Sequence, residues 1–179
     1  MMKRFRQTMK ALSNGKKLNK LILNKAVQLL AQRDHSSCEL IRKLTLFFSK
    51  KIICSEDDFP ERLSQLKTEI ADVIAYCTNQ RWMDDKQYIE KYIAIRANKG
   101  YGKYKIGLEL KQRGLSSDLS QELLHAADIN WSEIAYRQLL KKFKVIELNN
   151  NYQKQKVMQF LTARGFTQFD VKTVYALLT

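Results

Sequence analysis

Turn-forming residues are scarce in this chain. Across 179 residues there are one proline, Pro60, and six glycines. An all-β domain draws on such residues for its many tight turns, so their scarcity argues against sheet and for long helices joined by short polar loops. Cysteine is limited to Cys38, Cys54 and Cys77. The odd count and the absence of a Cys-x-x-Cys spacing exclude a disulfide framework and a zinc knuckle. Each sits among apolar neighbours and reads as a small buried hydrophobe. The only histidines are His35 and His125, and His35, in an interhelical turn, reads as a structural hydrogen-bonding residue. No apolar run approaches the 18 residues of a membrane span, and the basic N-terminus has no apolar signal core. A reducing cytoplasm is the simplest compartment. Acid is the last scarcity: 18 Asp and Glu face 32 Lys and Arg, a net charge of +14. Such a field attracts polyanions. Nucleic acid, a nucleoprotein, an acidic protein face and an anionic membrane surface all satisfy it, and charge alone does not choose among them.

What the chain does contain is helical pattern. Hydrophobic residues make up 45%, enough for a core and too many for wholesale disorder. Residues 1–17 form a basic arm with Lys3, Arg4, Arg6, Lys10, Lys16 and Lys17, no acid, and a Ser13-Asn14-Gly15 turn. From Leu18, Leu21, Ile22, Ala26, Leu29 and Leu30 fall on one helical face. Ser36 with Glu39 three residues on predicts a capping-box start to a helix carrying Leu40, Ile41, Leu44, Phe47 and Phe48. An irregular bridge over 49–60 follows. The next helix carries a narrow stripe at Leu63, Leu66, Ile70, Val73, Ile74 and Cys77. Asp84 caps a helix with Tyr88, Ile89, Tyr92, Ile93 and Arg96, which Gly100 ends in a left-handed conformation. Further helices hold Ile106 and Leu110, then Leu119, Leu123 and Leu124. A third group holds Ile134 to Phe143, Val157 to Ala163, and Val171 to Leu178 after a Thr167–Asp170 capping box.

An internal repeat organises these segments. Lys105-Ile106 through Arg113-Gly114 lines up without gaps on Lys156-Val157 through Arg164-Gly165, at a constant offset of 51. Leu110 falls on Leu161. Leu40 and Leu44 fit under Ile106 and Leu110 in an earlier, more divergent copy. The fold class expected is all-α: three tandem three-helix repeats in an elongated, curved array. Each copy has a longer first helix, a short second helix and a third. One such unit has too little core alone, and stacking buries the rest. The boundaries are a basic arm over 1–17, repeat 1 over 18–83 with an insertion near 49–61, repeat 2 over 84–129, and repeat 3 over 130–179.

The residues that carry a family likeness are spread along this array. They include Ala26, Leu29, Leu30, Arg33, His35-Ser36, Glu39-Leu40 and Lys43-Leu44. The most specific stretch is Trp82-Met83-Asp84-Asp85 with Tyr88, Tyr92 and Arg96, then Lys99-Gly100-Tyr101-Gly102-Lys103-Tyr104-Lys105-Ile106, Glu109-Leu110 and Arg113-Gly114. On these residues, over roughly 20–178, the chain resembles the RecX family of recombination regulators. It departs after Leu44, where the family has a short Lys-Gly turn and this chain has the longer acidic bridge. The resemblance implies a non-enzymatic protein that binds the RecA recombinase and the RecA filament on single-stranded DNA. It further implies restraint of recombinase, ATPase and coprotease activity, with single- or double-stranded DNA as a further partner, no membrane and a monomeric state.

Partner- and DNA-contacting candidates are Arg33, Arg42, Lys43, Tyr92, Arg96, Lys99, Lys103, Tyr104, Lys105, Arg113, Lys156 and Arg164. Between residues 86 and 113, eight cations face only Glu90 and Glu109, and tyrosines interleave with them. Cations neutralise phosphate, and tyrosines stack on bases or anchor protein interfaces. Tyr88 and Tyr92 are equally open to a core-facing reading. Asp84 and Asp85 read as helix cap and dipole partner rather than as metal ligands or an acid–base pair. Gly100-Tyr101-Gly102 is too short for a nucleotide loop and follows a helix. No catalytic set, metal site or cofactor is expected. Two other readings stay open: a DNA or RNA binder of helix-turn-helix type, and a helical scaffold for an acidic protein.

Overall fold

The computed structural model describes residues 18–143 and 151–178. The basic arm and residues 144–150 lie outside them. Among the described residues there are nine helices and no strand: α1 Lys20–Leu30, α2 Ser37–Ser49, α3 Phe59–Asn79, α4 Asp85–Asn98, α5 Lys103–Gln112, α6 Ser117–Ala126, α7 Trp131–Lys142, α8 Asn151–Ala163 and α9 Gln168–Leu178. They fall into three consecutive groups of three.

Local chemistry sets the helix ends. Asn19, Ser36, Asp84, Ser116 and Asn130 each accept first-turn backbone N–H groups on a side-chain oxygen, which satisfies donors a helix start leaves unpaired. Thr167 and Asp170 form the full reciprocal box: Thr167 Oγ1 accepts from Asp170 N, and Asp170 Oδ2 accepts from Thr167 N. The box expected at Ser36 is only half made. Glu39 N donates to Ser36 Oγ, but the Glu39 carboxylate is taken by Arg33. At the other ends, Gly100, Gly114 and Gly165 adopt positive φ of 81°, 77° and 85°, which glycine reaches without a Cβ penalty.

The repeat alignment is visible in burial. Leu40, Leu44, Ile106, Leu110, Val157 and Leu161 are all at 0–1% exposure, so the second helix of every repeat turns the same two apolar positions inward. Helix lengths follow the expected long-short pattern in the second group, at 14, 10 and 10 residues, but not in the first or third. In the first group, α3 is the longest, at 21 residues against 11 for α1, because the stripe down to Cys77 continues the helix from Pro60. Pro60 sits in its first turn, where a missing N–H costs nothing. Leu21 is 71% exposed, and Leu23 takes the inward place assigned to it. Phe47 is also solvent-facing, covered by the ammonium groups of Lys25 and Lys51 at 4.5 and 4.2 Å from its centroid. Of the cysteines only Cys77 is buried; Cys38 is half-buried and Cys54 is exposed in the bridge.

The repeats are not equally joined. The described buried residues form two apolar cores. One lies wholly within α1–α3 and the turn to Met83. The other runs continuously from Ile89 to Val174, so the second and third groups share it. Between the first and second groups the seam is polar. Ser37 N donates to Asp85 Oδ1 at 2.8 Å, the Ser37 hydroxyl donates to Asp85 Oδ2, and Lys91 pairs with Asp34 at 2.7 Å. Asp84 is therefore the helix cap, as expected, while Asp85 reaches across to cap α2 of the preceding repeat.

The second junction works by the same device with different atoms. Gly102 N donates to Arg164 O at 2.9 Å, Tyr104 N donates to Gly165 O at 3.0 Å, and Arg164 Nη1 donates to Gly100 O at 3.1 Å. Gly102 brings no side-chain cap of its own, so the Arg-Gly turn of the third repeat supplies the acceptors. A Cβ at Gly102 would stand 2.3 Å from Gly165 O, and one at Gly165 would stand 2.3 Å from Lys105 N. At the first junction a Cβ at Gly114 would stand 2.3 Å from Cys38 Sγ. At each junction, then, the Arg-Gly turn of one repeat seats against the start of the second helix of the repeat before it.

Candidate functional site

These junctions gather most of the candidate residues. Between the first and second repeats lies an open cleft lined by Cys38, Glu39, Arg42, Tyr92, Arg96, Glu109, Gln112, Arg113 and Gly114. Arg42 is exposed, and no acid pairs with it among the described residues. Arg96 is not free. Its Nε donates to Glu109 Oε2 at 2.7 Å, its Nη2 donates to Oε1, and its guanidinium lies 3.8 Å from the Tyr101 ring centroid. Tyr92 is half-buried, packs on the shared core and donates its hydroxyl to Glu109 Oε2 at 2.7 Å. Tyr88 stacks on it at 6.3 Å. The core-facing reading of both tyrosines holds, with the Tyr92 hydroxyl at the cleft. Arg113 donates to Tyr88 Oη at 3.1 Å and lies over the Tyr92 ring.

Carboxylates tie the cations down. Burial opposes the charge on Glu109, but hydrogen bonds from Arg96 and Tyr92 and the charge of Arg96 outweigh it and hold its pKa below the usual range. Glu39 is in the same position: burial raises its pKa, Arg33 lowers it by hydrogen bonding and charge, and the balance falls at about 2. Lys43 Nζ lies 3.5 Å from the same carboxylate. His35 Nδ1 lies 3.3 Å from Glu39 Oε2. That carboxylate is the polar neighbour of a buried ring, in keeping with the structural role expected of His35. Burial, then Arg33, lowers its pKa despite the nearby carboxylate, which leaves the ring neutral at pH 7 and Glu39 charged beside it.

A second cluster surrounds Tyr101 at the junction of the second and third repeats. Arg96, Lys105 and Arg164 lie 3.8, 5.0 and 5.6 Å from its ring centroid. Cation–π attraction offsets the repulsion among them. The same pair recurs one repeat on, where Lys156 lies 4.3 Å from the Tyr152 ring. Lys99 is exposed at the end of α4. Lys103 and Tyr104 belong to neither cluster and line a separate groove beside α6. Arg33, Arg42, Lys43, Tyr92, Arg96 and Arg113 thus come together around the first junction, and Lys105 and Arg164 around the second; Lys156 stands apart. Tyr101, Glu39 and Glu109 were not among the sequence candidates. Their signal was spacing: Tyr101 has Arg96 five residues before it and Lys105 four after, and each glutamate lies one position before a buried core leucine.

Among the described residues, no three His, Cys, Asp or Glu converge as metal ligands, and no helix is long and apolar enough to cross a membrane. Fold and surface define a helical-repeat protein of stacked three-helix units with cation-rich junctions. The family model described as "RecX, second three-helix domain" matches residues 84–124. Regulatory protein RecX of Salmonella typhi is 34% identical over 154 residues, covering 86% of this chain and 89% of that protein. The same protein from Salmonella agona matches equally. Among solved structures, RecX from Lactobacillus salivarius superposes with a TM-score of 0.68 at 20% identity, covering 88% of this chain and 94% of that one. A second regulatory protein RecX structure gives 0.66 at 18% identity, over 94% of this chain and 85% of that one. The chain belongs to the RecX family of regulatory proteins.

Proposed function

We propose that this protein binds the RecA recombinase and its filament on single-stranded DNA and restrains the recombinase, ATPase and coprotease activities, acting as a cytoplasmic monomer. Family membership supports the partner. The observation that carries the choice of surface is the cleft at the first junction, where Arg33, Arg42, Lys43, Arg96 and Arg113 surround the buried carboxylate of Glu39 and the half-buried one of Glu109. Arg96 and Arg33 are spent on Glu109 and Glu39 and fix the cleft's shape. Arg42, which pairs with no acid among the described residues, is left to meet a phosphate or an acidic loop of the filament.

The test is RecA-driven, single-strand-dependent ATP hydrolysis titrated with the full chain and with Arg42→Glu. The wild type inhibits, and the variant needs about tenfold more protein, equivalent to about 1.4 kcal/mol of contact; the gap narrows as salt rises. No inhibition by the wild type overturns the reading. Equal inhibition by the variant moves the contact off the cleft. A gel-shift that shows tight, sequence-specific duplex binding with no effect on RecA would establish the helix-turn-helix reading instead.

A further inference from the structure

Helix α5 has two exposed faces, and the cleft uses one. Lys105, Glu109 and Gln112 face the junctions. On another side, Lys103, Tyr104, Gly107, Leu108 and Lys111 line a groove whose far wall is α6, with Ser117, Ser120, Gln121, Leu124 and His125; Thr167 closes one end. We propose that this groove is a docking site for an amphipathic helix with an apolar ridge and acidic residues at both ends, carried by a protein partner.

Three observations converge on it. First, the groove is walled by apolar side chains that stay uncovered: Tyr104 is 77% exposed and Leu108 is half-exposed. They are one turn apart on α5, so they form a single ridge edge. Second, Gly107 sits at mid-helix between them. Glycine there weakens a helix relative to alanine, and the fold does not call for it. A Cβ would meet only Leu124 Cδ1, at 3.4 Å, an ordinary contact. The space it leaves opens into the groove, where it lets another backbone come close. Third, the charge is one-sided. Lys103 and Lys111 stand eight residues apart, about 12 Å along the axis, and none of the lining residues is acidic.

These features choose the occupant. Lysines at both ends with an apolar middle fit a helix of about three turns that carries its acids at its ends, the helix-in-groove mode of recognition. A single nucleic-acid strand fits less well. It puts a phosphate at every nucleotide, and the groove offers cations only at its two ends with Leu108 and Leu124 between. The site lies on a different face from the cleft and does not depend on the RecA assignment.

The test uses the full chain, labelled with ¹⁵N and titrated with a designed 14-residue helical peptide that has a leucine ridge and glutamates at both ends. Two controls are the same peptide with lysine ends and a single-stranded oligonucleotide. The acidic peptide is expected to shift the amides of Tyr104, Gly107, Leu108, Lys111 and Ser120, and the lysine-ended one to leave them in place. Gly107→Ala should fold and still bind. Gly107→Leu should fold, because its side chain points into the open groove, and should lose at least tenfold in affinity. Equal binding of both peptides, full binding by Gly107→Leu, or shifts at these amides from the oligonucleotide alone would each overturn the proposal.

Discussion

The sharpest consequence of the second junction is the effect of one methyl group at Gly102. The backbone there has φ −87° and ψ 168°, an extended conformation open to any residue, so Gly102→Ala adds no conformational strain. What it adds is a Cβ at 2.3 Å from Gly165 O, 2.4 Å from Gly165 C and 2.5 Å from Phe166 N. All three are backbone atoms, so no side-chain rotation relieves the overlap and the Arg-Gly turn must move away. Three hydrogen bonds then fail: Gly102 N to Arg164 O, Tyr104 N to Gly165 O, and Arg164 Nη1 to Gly100 O. At about 1 kcal/mol each, the loss is about 3 kcal/mol. For a chain of this length 1 kcal/mol moves Tm by about 2–4 °C, so the variant should melt about 6–12 °C lower by circular dichroism. The amides of Gly102 and Tyr104 should also lose hydrogen-exchange protection. Gly107→Ala is the matched control: a methyl in the same helix with room for it, which should raise stability by about 0.5–1 kcal/mol. If Gly102→Ala melts within about 1 °C of wild type with the Tyr104 amide still protected, the clasp does not hold the repeats together.

Two further outcomes follow from the first repeat and its seam. Glu39 has a folded-state pKa of about 2 against an ordinary 4.5, so the unfolded chain binds the proton more readily. Its contribution is fully present above about pH 4.5, is lost as pH falls towards 2, and amounts to about 3 kcal/mol at most. His35, lowered by burial and by Arg33, works in the same direction as pH falls below its ordinary 6.5; Tm measured against pH should fall in acid, and more steeply for wild type than for Glu39→Gln between pH 4.5 and 2. Asp85→Ala removes both acceptors that join Ser37 to the second repeat, a loss of about 2 kcal/mol for a charged acceptor. The Ser37 amide should then exchange at least tenfold faster while that of Ile89 does not change, and unchanged Ser37 protection would show that the seam is held elsewhere.

Much of this is legible in the sequence alone. The 51-residue offset placed Ile106 over Val157 and Leu110 over Leu161, and caps at Ser36, Asp84 and Thr167 placed helix starts, because both signals act within a turn or two of chain. Leu21 was misplaced for a reason of the same kind: the pattern fixes an apolar stripe only approximately in rotation, and packing in the core of the first repeat chose Leu23. Candidate cations were legible as a list and not as a surface. Arg42 and Arg96 lie far apart in sequence, and nothing local says that they share a cleft or that Glu109 holds one of them.

The sequence by itself determined an all-helical chain, its repeat, its positive charge and its family, because helical periodicity, capping and composition are properties of neighbours along the chain. Tertiary structure alone decided how the repeats meet. It gave the second and third repeats one apolar core and left the first joined by Asp85, Lys91 and the Gly114–Cys38 contact. It also decided which cations are spent on Glu39 and Glu109 and which remain to bind. Those outcomes depend on atoms tens of residues apart arriving within 3 Å, and only packing brings them there.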